Sequence, residues 1–256
     1  MKSFYKGVVS EDEKILPIEN SLLRGDGVFE TVLTIDQSAV AWDRHYARMQ
    51  KAANKVLIGI PAKIDIDLAI AAILKDEIGR NRLRVVCLGD GGWFLTLQPV
   101  AEVAESISLT RFPYVRDSNA LLSGVKSLSY ADSITAVRHA ETLGFDDSIF
   151  LNEKDEVVET GLSNLLLLTK DGWRTPEITS GCLPGITREL LMSWFGVKEA
   201  KIRFADLLET AALFTTSSIR LVQRVDKVEQ KLYEACDEGT ELINAFETRI
   251  LANLNP

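Results

Sequence analysis

The 256-residue sequence predicts a mixed α/β protein of the α+β kind, in two domains. Three observations carry this. Segments of period 2 and segments of helical period both occur. The strands fall at irregular intervals, too uneven for a clean βαβ series. One stretch, YVRDSNALLSG (114–124), has no period at all and divides the chain. The expectation is a smaller domain over 1–114, a linker over 115–124 and a larger domain over 125–256. A chain of this length can bury about 75% of its unfolded surface, and 46% hydrophobic with 26% charged residues is an ordinary globular composition.

Each element follows from its local text. GVFETVLTI (27–35) alternates as a strand does. DRHYARMQKAANKVLI (43–58) sets Tyr46, Met49, Ala53, Val56 and Leu57 at helical spacing, with Asp43 placed to cap the N-terminus. DIDLAIAAILKDEIG (65–79) is a second amphipathic helix closed by Gly79. NRLRVVCLGD and WFLTLQPV pair as strands around the GDGG turn, and ESISLTRFPYV is a further strand of the first domain. In the second domain, YADSITAVRHAETLG (130–144) is a helix ending at Gly144. DSIFLNEKDEVVETGLSNLLLLTKDG (147–172) reads as strand, turn, strand, bend, strand. GITRELLMSWFG (185–196) is a helix, and ALFTTSSIRLV (212–222) is a buried strand leading into a hydroxyl-rich loop. QKLYEACDEGTELINAFETRILANL closes the chain as a helix.

A net charge of −8 excludes a nucleic-acid binder that works by phosphate neutralisation. It leaves room for a small anion held by a few local donors. The cysteines, Cys87, Cys182 and Cys236, are odd in number and far apart, which suggests neither a disulfide framework nor a zinc site. Two histidines, His45 and His139, offer little for a metal site or a Ser-His-Asp triad. No metal is expected. The segment MKSFYKGVVSEDEK lacks an apolar run of signal-peptide length, and no run elsewhere is long enough to span a bilayer. A cytoplasmic location and no membrane or nucleic-acid partner are expected.

Four features could carry chemistry. Lys126 lies in GVKSLSYADS, among small and hydroxylated residues. Arg48 lies on the first long helix, and Glu159 lies just before a bend in VVETGLSN. LPGITR (183–188) and FTTSS (214–218) offer backbone amides and hydroxyls; a helix N-terminus with its dipole suits a phosphate. Taken singly, each also has an ordinary reading: a loop lysine, the polar face of a helix, a strand-end carboxylate, a plain helix start, a solvated turn.

As an ordered set they resemble the class IV aminotransferase family, the fold-type IV enzymes that use pyridoxal 5′-phosphate (PLP). That family includes 4-amino-4-deoxychorismate lyase, D-amino-acid aminotransferase and branched-chain aminotransferase. RGDGVFETV (24–32), HYARM (45–49) and DDSIFLNEKDEVVETGLSNLLL (146–167) match the same family, so the resemblance runs from about residue 20 to residue 226. It implies a D-amino-acid aminotransferase-like fold, a homodimer and a small-molecule amine substrate. It also implies a role for each residue. Lys126 is the imine-forming lysine, and later the acid/base that moves the substrate proton. Glu159 keeps a proton on the ring nitrogen. Arg48 grips the phosphate bidentately. The Ile186 and Thr187 amides, after Gly185, sit at the helix N-terminus with the Thr187 hydroxyl, and Thr215 adds another. Leu183 packs on the ring face, Tyr130 stands near the phenolic oxygen, and Thr216 faces the substrate carboxylate.

Within the family the text is most similar to the lyases. Phe29, in the substrate pocket, stands where D-amino-acid aminotransferases typically carry a tyrosine. Thr31-Val32 follows the Phe-Glu pair where branched-chain enzymes typically show Gly-Ile-Arg. The implied reaction converts 4-amino-4-deoxychorismate to 4-aminobenzoate and pyruvate, in folate biosynthesis. The alternative is a transaminase moving an amino group between a small amino acid, D- or branched-chain, and 2-oxoglutarate. LGDGGWFLT (88–96) departs from the Arg-Gly pairs expected there, which leaves the substrate open. Arg24 and Arg111 are carboxylate-partner candidates, with a solvated-surface reading beside each. A non-catalytic binding protein would keep the fold and lose the chemistry; here the lysine, the glutamate and the phosphate elements are all present.

Overall fold

The computed structural model describes residues 1–11 and 20–256. The described residues form two compact units. The first holds Met1–Glu102, Val125–Tyr130 and Ile250–Pro256; the second holds Val103–Gly124 and Ala131–Arg249.

The first unit is built on one antiparallel sheet of β1 (Lys2–Tyr5), β2 (Val8–Ser10), β3 (Gly27–Ile35), β4 (Ser38–Ala39), β5 (Arg80–Leu88) and β6 (Trp93–Pro99), in the order β2-β1-β6-β5-β3-β4. Its helices are α1 (Asn20–Arg24), α2 (Trp42–Lys55) and α3 (Lys63–Ile73). Val28 and Val32 of β3 pack with Leu83 and Val85 of β5 and Leu95 and Leu97 of β6. Trp42, Met49, Ala52 and Ala53 of α2 and Ile66, Ala69, Ile70 and Ile73 of α3 close the same core. Each large apolar side chain so buried contributes roughly 1.5–3 kcal/mol. Two expectations change here. Asp43 is not the cap of α2: Ala41 holds that position with φ +52°, and Asp43 lies inside the first turn. Leu57 lies beyond the helix end at φ +60° and is exposed, so it does not continue the buried stripe.

The second unit is built on a nine-stranded sheet: β7 (Ser106–Val115), β8 (Asp147–Leu151), β9 (Val157–Thr160), β10 (Asn164–Thr169), β11 (Gly172–Pro176), β12 (Lys198–Ala200), β13 (Ala212–Ser217), β14 (Leu221–Val228) and β15 (Lys231–Leu232). The order is β12-β11-β10-β13-β14-β7-β8-β9, with β15 paired to β14. Its helices are α4 (Ala131–Thr142), α5 (Ile186–Phe195), α6 (Phe204–Glu209) and α7 (Asp237–Ala252). Ile107, Leu109, Ile149, Val157, Leu165, Leu167, Leu213 and Val225 form the core against one face of the sheet.

The division differs from the one expected at 114 and 125. β7, read as the last strand of the first domain, belongs to the second unit because it pairs in parallel with β14 and β8. The Lys126 segment belongs to the first unit. Phe29 N donates to Lys126 O at 3.0 Å, Leu128 N donates to Gly27 O at 2.9 Å, and Ser127 bridges Val28. Both pairings join residues distant in sequence, and local periodicity is blind to them.

Candidate active site

In the first unit, the backbone of 126–128 runs beside the start of β3, and this fixes the neighbours of Lys126. Its Nζ lies 4.5 Å from the Phe29 ring centroid and 5.0 Å from that of Tyr130. The two rings meet edge to face, 5.3 Å apart. The Arg84 guanidinium lies 5.1 Å from the Phe29 ring. The β3–β5 register pairs Phe29 with Val86 and Thr31 with Arg84, so alternation brings Arg84 to the face of Phe29. Arg84 is exposed overall, yet the partial burial of its guanidinium lowers its pKa, and the charge of Arg82 lowers it further. An amine, two rings and a cation thus share one face. Arg84 stood outside the sequence reading; its signal was the alternation of RNRLRVV, which sets it across β5 from its buried neighbours.

The next residue of β3 points the other way. Glu30 is fully buried on the α2 side, with Val28 and Val32 as face neighbours. Arg48 meets it with two parallel bonds, Nε to Oε1 at 2.9 Å and Nη2 to Oε2 at 2.5 Å. His45, one turn earlier on α2, sets Nδ1 2.6 Å from Glu30 Oε2. A carboxylate only accepts, so Nδ1 carries the proton. Burial opposes ionisation of Glu30, but the charges of Arg48 and His45 and their hydrogen bonds outweigh it and lower the carboxyl to about 2. Burial lowers the pKa of His45 despite the pull of Glu30, and Arg48 and Lys126 add to the lowering.

In the second unit, Glu159 is the penultimate residue of β9, with both oxygens engaged. Oε1 accepts from Arg116 Nη1 at 2.5 Å. Oε2 accepts from Asn164 Nδ2 at 3.1 Å and from Leu183 N at 3.0 Å. Asn164 also donates to Leu183 O at 2.9 Å, so one side chain ties β10 to the strand end and to the segment before α5. The bend between β9 and β10 is held by Asp147, which accepts from Gly161 N at 3.0 Å and Leu162 N at 3.1 Å. Arg116 also donates to Ser133 Oγ at 3.1 Å and lies 3.7 Å over the Phe150 ring. Neither Arg116 nor Asn164 was assigned a role from the sequence, although Asn164 closes the VVETGLSN text that holds Glu159.

α5 starts at Gly185 with no side-chain cap, so its first-turn amides are not taken by one. Ile186 and Thr187 are buried there, and Leu183 is half-buried two residues before Gly185. A Cβ on Gly185 would fall 1.9 Å from Asn164 Oδ1. Gly185→Ala should therefore push Asn164 off Glu159 and cost about 1–3 kcal/mol through overpacking. Thermal unfolding checks this, with an expected drop of about 2–4 °C per kcal/mol. Gly59→Ala is the control, since nothing lies within 4 Å of a Cβ at that position.

Thr215 and Thr216 are adjacent on β13 and so point to opposite faces. Thr215 pairs with Leu165 and shares the face of Leu213 and Val225, inside the core. Thr216 pairs with Asn164 and shares its face. The two side chains thus stand on opposite faces of β13, with Thr216 on the face of Asn164. The Oγ1 of each is buried without a hydrogen-bond partner among the described residues. Such a group costs about 1–3 kcal/mol unless something outside the chain satisfies it. Arg24 and Arg111 are exposed; Arg111 pairs with Asp155 at 3.4 Å. Both match the solvated reading.

The sequence profile of the amino-transferase class IV family matches residues 27–228. The chain belongs to the class IV aminotransferases. Members of this family use PLP. A Methanocaldococcus jannaschii protein provisionally named a branched-chain-amino-acid aminotransferase is 25% identical, over 91% of this chain and 89% of its own. The bifunctional aminodeoxychorismate lyase / D-amino acid transaminase of Mycobacterium tuberculosis is 27% identical, over 79% of this chain and 82% of its own. Among solved structures, the PLP-bound form of a hypothetical aminotransferase from M. tuberculosis superposes with a TM-score of 0.88 at 21% identity, covering 98% of this chain and 99% of that one. That last likeness bears on the fold, which is the fold-type IV architecture expected from the sequence.

The residues present fit the family's cofactor. The buried, unsatisfied Thr215 and Thr216 hydroxyls and the uncapped start of α5 are donors of the kind a phosphate recruits. A fixed carboxylate at Glu159 suits a protonated ring nitrogen.

Proposed function

We propose that this class IV enzyme is a PLP-dependent lyase that converts 4-amino-4-deoxychorismate to 4-aminobenzoate and pyruvate. The observation that carries the reading is the wall around Lys126: two rings edge to face beside the amine, with Arg84 against the Phe29 ring. A flat, unsaturated ring bearing carboxylates is complementary to aromatic faces and a guanidinium. Phe29 also removes the hydroxyl that a D-amino-acid aminotransferase would set there.

PLP, when bound, supplies an aldehyde for the substrate amine and a ring that spreads the negative charge left by proton removal. The chain does the rest. Lys126 Nζ is the nucleophile towards that aldehyde and then the base at the carbon bearing the amine. The substrate's neighbouring C–O bond breaks, and the three-carbon enol leaves as pyruvate. In the second unit, the first-turn amides of Ile186 and Thr187 and the hydroxyls of Thr187 and Thr215 would bind the phosphate, and Thr216 would bind the substrate carboxylate. Glu159, oriented by Arg116, Asn164 and Leu183 N, would hold a proton on the ring nitrogen, and Leu183 would cover the ring. In the first unit, Arg48 would add a bidentate grip on the phosphate, and Tyr130 would serve the phenolic oxygen. The reading also includes a cytoplasmic homodimer; no helix among the described residues is long and apolar enough to cross a membrane.

A second reading, transamination between a small amino acid and 2-oxoglutarate, is favoured by the aminotransferase names among the relatives. One assay separates the two. Incubation with 4-amino-4-deoxychorismate should release equal amounts of pyruvate and 4-aminobenzoate. Amino transfer to 2-oxoglutarate with no 4-aminobenzoate formed would sink the lyase reading.

A further inference from the structure

Glu30 has no role in the reaction as described, yet it is a fully buried carboxylate of the first unit. It sits on a core-facing position of β3, between Val28 and Val32, where alternation calls for an apolar side chain. Burying an ion pair there adds little stability over a hydrophobic replacement. Its placement therefore asks for another explanation. The geometry supplies one. Nε and Nη2 of Arg48 lie along one edge of a planar fork, and both are bound to one carboxylate. That fixes the plane of the guanidinium and turns its Nη1 edge away from Glu30. His45 holds the second oxygen of the same carboxylate, so the carboxylate cannot rotate and carry Arg48 with it.

We propose that Glu30 is a positioning residue, which with His45 sets Arg48 in the orientation that receives the cofactor's phosphate. The proposal rests on the PLP reading above. It differs from a purely structural role in one respect: it concerns the phosphate and nothing else on the cofactor. Pyridoxal, which has the aldehyde and ring but no phosphate, is the discriminating probe. A structural defect would weaken PLP and pyridoxal alike. A misdirected Arg48 would weaken PLP alone.

The test titrates the full-length protein, freed of cofactor, with PLP and separately with pyridoxal, following the absorbance of the bound form. Wild-type protein should prefer PLP strongly. In Glu30→Gln, one oxygen becomes an amide that cannot accept from Arg48, and the PLP dissociation constant should rise at least about tenfold, the worth of one charge-assisted hydrogen bond. The pyridoxal constant should stay within about twofold, well under the 1.4 kcal/mol of a tenfold change. Glu30→Asp, which keeps the charge and shortens the reach, should lose the same preference to a smaller degree; it carries the test if Glu30→Gln does not fold. A variant that keeps the wild-type preference for PLP over pyridoxal overturns the positioning role while leaving the cofactor reading intact. Wild-type protein that takes up neither compound overturns both.

Discussion

Lys126→Ala should leave a folded protein that neither gains the near-UV to visible band of bound cofactor nor turns over substrate. The expected loss in turnover is at least about 10⁴-fold, the upper range for removal of a single acid–base group, because the same nitrogen is nucleophile and base. Folding should survive. Lys126 is half-buried, its backbone carbonyl accepts from Phe29 N at 3.0 Å, and that bond does not depend on the side chain. Val125 and Ser127 keep the segment against the first unit's sheet. Lys126→Arg sharpens the point. It keeps the positive charge beside the Phe29 and Tyr130 rings but offers no unprotonated nitrogen at working pH. If the lysine acted only as a cation, the arginine variant would retain substantial turnover. If it acts as an amine, both variants are equally dead. A cofactor band that persists in Lys126→Ala would show that another amine carries the cofactor.

What could be read in the sequence was what depends on near neighbours. β3 matches its expected span, and α2 and α5 lie within a residue or a few of theirs, because the period of 2 or 3.6 is written in consecutive residues. The ordered set of Lys126, Arg48, Glu159 and LPGITR was legible as a resemblance to the class IV family, and the family match over residues 27–228 bears out that membership. The rest depends on pairings that no window contains. β7 lies 120 residues before the Asp226 it approaches, with Ser106 Oγ donating to it at 2.7 Å, so its allegiance to the second unit is a tertiary fact. Glu30 breaks the apolar line of Val28 and Val32, yet it is fully buried, because His45 and Arg48 of α2, 15 and 18 residues later, bring donors to it. Thr215 and Thr216 show the opposite limit. Their shared chemistry is obvious in the text, and the pleat alone assigns one to the core and the other to Asn164's face.

Glu159→Gln should reduce turnover by about 10²–10³-fold while PLP still binds. On the proposed function, the charge on Glu159 would keep the ring nitrogen protonated, whereas Lys126 and the phosphate donors would carry the affinity. The structure adds a second consequence. Arg116 is mostly buried, with its guanidinium between Glu159 and the Phe150 ring, and the substitution strips it of its carboxylate. Breaking one side of a buried pair costs about 3–5 kcal/mol, so thermal unfolding should show a clear loss beside the kinetic one. The two effects can be told apart. In Arg116→Met the charge on Glu159 remains, Asn164 Nδ2 and Leu183 N still hold Oε2, and the methionine packs on Phe150. This variant should recover turnover relative to Glu159→Gln, although its stability is also reduced. If Arg116→Met and Glu159→Gln lose turnover equally, the pair acts as a structural clamp and the carboxylate's charge is not what the reaction uses. If Glu159→Gln loses stability but no turnover, the residue facing the ring nitrogen has to be sought elsewhere.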